Sequence, residues 1–199
     1  MVTFIPSSHT YLNEDGIIIP SVTQLISWKF GSGYENVPKD VLEAKARYGT
    51  RVHEIVEQYC KTGKADVRNP QEAMHLASYV EISKKTPRVI ANEQLVCFDN
   101  RLAGTLDLLY ENGCVGDIKT YADLNDHALF KTTWQVCLYL FCKYGTDMEK
   151  YQDNKLVYLP KSMKYGVYDL ELEHSYDECL ELLKEYEAAH ESRFHFEGE

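Results

Sequence analysis

The 199-residue chain has no long apolar run. Its longest apolar stretches, Ile17 to Ile19 and Val136 to Cys142, fall far short of the roughly 20 residues a membrane-crossing helix needs. The opening MVTFIPSSHT lacks the basic segment and apolar core of a secretory leader, and it is not Arg-rich like a transit peptide. These absences lead us to expect a cytoplasmic protein with no membrane partner. The six cysteines (Cys60, Cys97, Cys114, Cys137, Cys142 and Cys179) form no C-x-x-C pair. In a chain of this size free buried thiols are expected, not a disulfide framework. No internal repeat or low-complexity segment is present. Basic residues are in deficit, 21 Lys and Arg against 31 Asp and Glu, for a net charge of −10. A polyanion binder relies on Lys and Arg to neutralise phosphates. Either the acids lie on outer faces and leave a local basic groove, or a partner protein assists. Lys29, Arg47, Arg51, Lys131 and Lys143 are candidates for such a groove. Gly31-Ser32-Gly33 lacks the Lys-Ser/Thr of a phosphate-binding loop and reads as a linker.

What is present is ordinary globular material. The apolar fraction of 44% suits a single domain over residues 1–199, with a core over about 38–172 and a last helix over about 175–192. Tyr11-Leu12 and Ile17 to Ile19, around Asn13-Glu14-Asp15-Gly16, read as a strand pair. Ser21 caps a helix to about Trp28. A second helix follows Pro38 and runs through Gly49 to about Lys61. Glycine there costs about 1 kcal/mol against Ala, so either a neighbour approaches closely or the helix breaks. Asn69-Pro70 opens a third helix, reaching about Lys85. Strands are expected over Val89 to Phe98, on both sides of Glu111-Asn112-Gly113, over Lys155 to Leu159 and over Gly166 to Leu172. A buried helix spans about Phe130 to Tyr144, preceded by a loop over residues 121–129. Asp126 and His127 in that loop have nothing to orient them as a catalytic pair. Ser175 and Glu178 form a capping box for the last helix. The tail FHFEGE is expected to fray. The fold class is therefore α/β, with a mixed central sheet flanked by helices and a helical N-terminal part.

The chemistry concentrates in GTLDLLYENGCVGDIKT, residues 104–120. Asp107 and Asp117 lie on two short strands, and Lys119 shares a face with Asp117. A two-residue Asn-Gly loop would put the two aspartates on opposite faces. A three-residue loop, with Gly113 left-handed, pairs Tyr110 with Cys114 and sets Asp107 beside Asp117; we expect the second. Paired carboxylates repel unless a cation lies between them. Oxygen ligands on a rigid hairpin suit Mg²⁺ or Mn²⁺. Asp-x-Lys alone is common, but these charges sit among Leu106, Leu108, Val115 and Ile118, where an unpaired charge is costly. Lys119 would orient water or steady charge on a phosphate.

Gly104-Thr105-x-Asp107 followed by Gly116-Asp117-x-Lys119-Thr120 resembles the core of the PD-(D/E)XK nuclease superfamily, whose fold is restriction-endonuclease-like. Tyr48 to His53 resembles the Gly-x-x-x-His helix of its RecB-like branch, and Gln135-x-x-x-Tyr139 resembles that branch's Gln-x-x-x-Tyr helix. Pro20-Ser21-Val22-Thr23 is similar to the opening of the mitochondrial genome maintenance exonucleases. The resemblance implies a metal-dependent DNA exonuclease acting on single-strand or duplex ends in recombination or repair. Asp107, Asp117 and Lys119 would be catalytic. Asp107, Asp117, the backbone carbonyl of Ile118 and His53 would hold the metal. Read from the helix alone, His53 is a core-edge residue. Glu93 fits equally as a further ligand or as an exposed residue at a bulge. Gln135 would order the metal site, and Tyr139 and Arg51 would contact DNA. The cysteine spacing lacks the late group of three that carries an iron–sulfur cluster in some relatives, so no cluster is expected. The alternative is a catalytically inactive nuclease-like adaptor for nucleic acid or protein.

Overall fold

The computed structural model describes residues 2–6, 8–33 and 37–194. Three short strands, β1 (Thr3–Ile5), β2 (Thr10–Leu12) and β3 (Ile18–Ile19), form an antiparallel sheet at the start of the chain. The β2–β3 pair agrees with the sequence; β1 adds a strand that its short, mixed pattern does not announce. Helix α1 (Val22–Phe30) starts on a Ser21–Gln24 capping box. Helix α2 (Lys39–Thr62) passes Gly49 unbroken. The expected close neighbour is there, since a Cβ on Gly49 would lie 3.3 Å from Oγ1 of Thr120. Asn69 caps α3 (Pro70–Ser83) by accepting from the Glu72 amide.

The main sheet takes its strands in chain order: β4 (Val89–Phe98), β5 (Leu102–Tyr110), β6 (Val115–Lys119), β7 (Asn154–Tyr158) and β8 (Gly166–Leu170). All neighbours are antiparallel except β6 and β7. Parallel neighbours need a crossover, and α4 (Asp126–Tyr144), followed by a 3-10 turn over Gly145–Lys150, supplies it. The chain is therefore α/β with a mixed sheet. Helix α4 begins earlier than its apolar pattern suggests. Asn125 accepts from the Ala128 amide at 2.9 Å, and this cap draws Asp126 and His127 into the first turn. Helix α5 (Tyr176–Phe194) starts on the Ser175–Glu178 box. The fraying expected of the tail FHFEGE falls mostly on residues 195–199, which lie outside the described residues.

Two cores lie on opposite faces of the main sheet. Val22, Leu106, Val115, Leu138, Phe141, Leu156 and Leu183 pack α1, α4 and α5 on one face. Val52, Val56, Tyr79, Leu108, Ile118 and Val157 pack α2 and α3 on the other. The small sheet is tied to β5 by Tyr11, whose hydroxyl shares a 2.9 Å hydrogen bond with Thr105. Among the described residues no helix is long and apolar enough to cross a membrane.

Candidate active site

The β5–β6 hairpin closes through three residues. The Tyr110 amide donates to the Cys114 carbonyl and the Gly113 amide to the Tyr110 carbonyl, both at 2.9 Å. Gly113 is left-handed at φ 82°, a conformation that suits a residue without Cβ. Leu109 faces Val115 and Leu108 faces Gly116. Continued by one pair, this register sets Asp107 opposite Asp117. There the backbone ladder gives way to a side chain, because Oδ2 of Asp107 accepts from the Ile118 amide at 2.6 Å.

The other oxygen of Asp107 faces α2. Nδ1 of His53 lies 3.4 Å from Asp107 Oδ1 and 3.6 Å from Glu93 Oε1. Nε2 of His53 lies 3.2 Å from the Ile118 carbonyl oxygen. Fully buried Val52, Ile55 and Val56 hold this part of α2 on the sheet and leave His53 at the core's edge. Donor atoms of His53, Glu93 and Asp107 all lie within 4.8 Å of one another. Glu93 reaches the group from the middle of β4 with φ 46°. A non-glycine residue held in this region marks a conformation imposed by its surroundings. The two readings of Glu93 therefore meet: it is exposed, conformationally irregular and part of the ligand group.

Asp117 is not in that group. Its carboxylate, 1% exposed, forms an ion pair with Nζ of Lys119 at 2.8 Å. Neither Asp117 oxygen receives a directed hydrogen bond among the described residues. Lys119 also donates to Gln135 Oε1 at 2.8 Å, and Gln135 Nε2 donates to the Tyr139 hydroxyl at 2.8 Å. A line of side chains thus runs from Asp117 through Lys119 and Gln135 to Tyr139. Tyr139 packs against Gly104, where a Cβ would come within 2.7 Å of its ring. The sequence spacing of Gln135 and Tyr139, one helical turn, is what stacks them.

Burial and charge act unequally on these groups. Burial alone would lower His53, but Asp107 and then Glu93 outweigh it and raise its pKa to about 10. Burial raises Asp107, yet His53, Lys119 and the Ile118 amide together hold it below the ordinary carboxylate value. Burial also raises Asp117. Lys119 opposes this, but the neighbouring Asp107 adds to it, and the pKa is pushed up to about 6. Lys119 is raised, with Asp117 overcoming the cost of burial. Two carboxylates in one site with separated titrations are suited to different tasks.

The Asp117 oxygens, buried without a directed hydrogen bond beside an imidazole and two further carboxylates, fit a divalent cation with mixed N and O preference. Arg51 is engaged within the chain: its guanidinium donates to Glu72 at 2.9 Å, Glu54 at 3.1 Å and the Asp66 carbonyl at 2.6 Å. The other groove candidates also have partners among the described residues. Lys29 pairs with Glu185, Arg47 with Glu43, Lys131 with the Gly31 carbonyl and Lys143 with Gln94. The sequence placed the strands of the β7–β8 hairpin and the loop that carries Tyr121, but singled out no residue in either for the site. Tyr121 places its ring 5.9 Å from Nζ of Lys119. The available signal was the interleaving of tyrosine and lysine from Tyr158 to Tyr168.

No family model and no curated protein sequence matches the chain. Among solved structures, one described as "Crystal structure of SSO0001" aligns with 86% of this chain and 76% of that one, at 15% identity and a TM-score of 0.49.

Proposed function

We propose that this chain is a metal-dependent deoxyribonuclease of the PD-(D/E)XK type, with a restriction-endonuclease-like sheet, acting as an exonuclease in recombination or repair. The carrying observation is the convergence on one hairpin of a His53–Glu93–Asp107 donor group and the Asp117–Lys119 pair. His53, Asp107, Asp117 and the Ile118 carbonyl would hold Mg²⁺ or Mn²⁺, with Glu93 beside them. Such a cation supplies positive charge at a phosphoryl oxygen and makes a nearby water more acidic.

The remaining work falls to the chain's own groups. Lys119 is protonated across the physiological range, so it acts as a donor and a fixed positive charge and not as the base. Its ammonium is held by the Asp117 charge and by its hydrogen bond to Gln135, which leaves N–H for a water or a phosphate oxygen. Water attacks phosphorus: one P–O bond forms, the bond to the leaving oxygen breaks, the attacking water passes its proton to solvent and the departing oxygen takes a proton from solvent. Tyr139, through Gln135, fixes where Lys119 points.

The test is degradation of end-labelled single- and double-stranded DNA with Mn²⁺, Mg²⁺ or EDTA, comparing the wild type with Lys119→Ala. Metal-dependent cleavage that the variant loses supports the reading, and the label reports polarity. Absence of cleavage with either metal overturns it. A second reading, an inactive adaptor of the same architecture, draws on the acid excess and on the internal pairing of Arg51, Lys29 and Arg47. It predicts binding without metal-dependent loss of substrate.

A further inference from the structure

The sheet continues past Lys119 as a row of aromatic groups. Lys119 is paired with Tyr158 of β7, and Tyr158 with Gly166 of β8. Tyr168, two residues on, fills the space over Gly166, its hydroxyl 3.1 Å from where a Cβ would sit. Tyr158 and Tyr168 have ring centroids 6.5 Å apart. The Tyr158 hydroxyl donates to the carbonyls of Tyr121 and Ala122 at 3.1 and 3.0 Å, which ties the Tyr121 loop to the same row. Asp117, Lys119, Tyr158 and Tyr168 lie on one sheet face, because Val115, Leu156 and Leu170 at alternate positions all point to the α4 core.

The outer end of this row is open and basic. Tyr165 and Tyr168 are 45% and 46% exposed. Lys161 and Lys164 in the connecting turn are exposed, and neither forms an ion pair among the described residues. From Pro160 to Tyr168 there is no acidic residue, in a chain whose net charge is −10. Asp169, next in sequence, is held by Lys155 at 2.8 Å; Asp123 is the acid of the adjoining loop. The turn is tight, with the Met163 amide donating to the Pro160 carbonyl at 3.0 Å, so the hairpin is a stiff support.

Aromatic faces beside unpaired ammonium groups suit a strand whose bases are unstacked. In a duplex those base faces are already covered by their neighbours. We propose that the β7–β8 hairpin seats a single-stranded nucleic acid running into the candidate active site, with bases on Tyr168 and Tyr165 and phosphates at Lys161 and Lys164. This deepens the nuclease reading and rests on it for the direction toward Lys119.

The experiment is fluorescence anisotropy of labelled oligothymidylate and of a labelled duplex in EDTA, with the full chain. Tyr165→Ala/Tyr168→Ala is expected to weaken single-strand binding by roughly tenfold or more, since each stacked base contributes substantially. Duplex binding stays the same, and Tyr168→Trp restores the single-strand affinity. Lys161→Ala/Lys164→Ala flattens the salt dependence. Circular dichroism and melting of each variant report folding. Unchanged single-strand affinity in the double tyrosine variant overturns the inference, as does a wild type that binds no single strand, or equal losses on both probes. The nuclease reading is judged separately by cleavage in Mn²⁺ and its loss in Asp107→Asn. Cleavage by the wild type with unaltered binding by the tyrosine variant sinks only the hairpin seat. Binding lost in the tyrosine variant of a non-cleaving wild type sinks only the nuclease.

Discussion

Nζ of Lys119 lies 2.8 Å from Oδ2 of Asp117, two residues earlier on the same strand, and both groups are almost fully enclosed. Either charge alone would be expensive to bury, and the pair is tolerated because each offsets the other's desolvation. Removing one partner is therefore not equivalent to removing both.

Lys119→Ala strands the Asp117 carboxylate, and the variant is expected to lose about 3 kcal/mol of stability in EDTA. Lys119→Ala/Asp117→Asn removes the stranded charge and recovers much of that loss. Neither variant cleaves DNA at more than about one hundredth of the wild-type rate. Denaturant melts and cleavage rates of the three proteins check both statements. Equal stability of the single and double variants would refute the pairing.

In EDTA the protein is expected to lose stability as pH rises. His53 has a folded pKa of about 10 against an ordinary 6.5, so its stabilisation is complete below 6.5 and is lost as pH climbs through about 10. Asp117, raised to about 6 from 3.8, is penalised when ionised, so it lowers stability as pH rises across that interval. The two slopes have the same sign. Melting temperatures between pH 5 and 9 should fall in EDTA, and His53→Gln should flatten the upper part of the curve.

Binding of Mn²⁺ needs neutral imidazole and so competes with the proton on His53. Affinity is expected to increase with pH toward about 10, with proton release on binding. Titration calorimetry in buffers of different ionisation enthalpy measures the protons directly. A pH-independent affinity without proton release would remove His53 from the ligand set.

Glu93 is left-handed at φ 46° in the middle of a strand. Glu93→Gly removes the carboxylate and the steric cost together, and is expected to raise stability in EDTA by about 1 kcal/mol. Glu93→Ala removes only the carboxylate and keeps the strain. Both should bind Mn²⁺ more weakly than the wild type. Thermal melts and metal titrations of the pair separate the two contributions.

Gly104→Ala places a Cβ within 2.7 Å of the Tyr139 ring, which is 4% exposed and has nowhere to move. A cost of about 1–3 kcal/mol is expected from overpacking. Displacing Tyr139 also breaks its bond to Gln135, so kcat should fall along with stability. Wild-type melting and turnover in this variant would show that the contact is loose.

Much of the frame could be read from the chain, because the deciding signals were local. Ser21, Asn69 and Ser175 cap helices with their own side chains. Gly113 sets a three-residue loop, and that loop sets the register of Asp107 against Asp117. The 3.6-residue stripe of Val52, Ile55 and Val56 puts His53 at the edge of a core. Signals failed where the partner is distant. Nothing near Arg51 shows that Glu72, on the next helix, will occupy it. The Asn125 cap is local, with its partner Ala128 three residues on, but the apolar pattern that starts at Phe130 masks it.

Local steric and hydrogen-bonding preferences act over a few residues, and they determined the helices, the hairpin and the pairing of its acids. The meeting of His53, Glu93 and Asp107 draws on three elements whose mutual distance is fixed only when both sheet faces are packed. Which carboxylate joins the imidazole and which joins Lys119 is likewise a matter of burial and through-space charge. Those forces depend on position in the folded molecule and not on spacing along the chain, so the tertiary structure alone decided them.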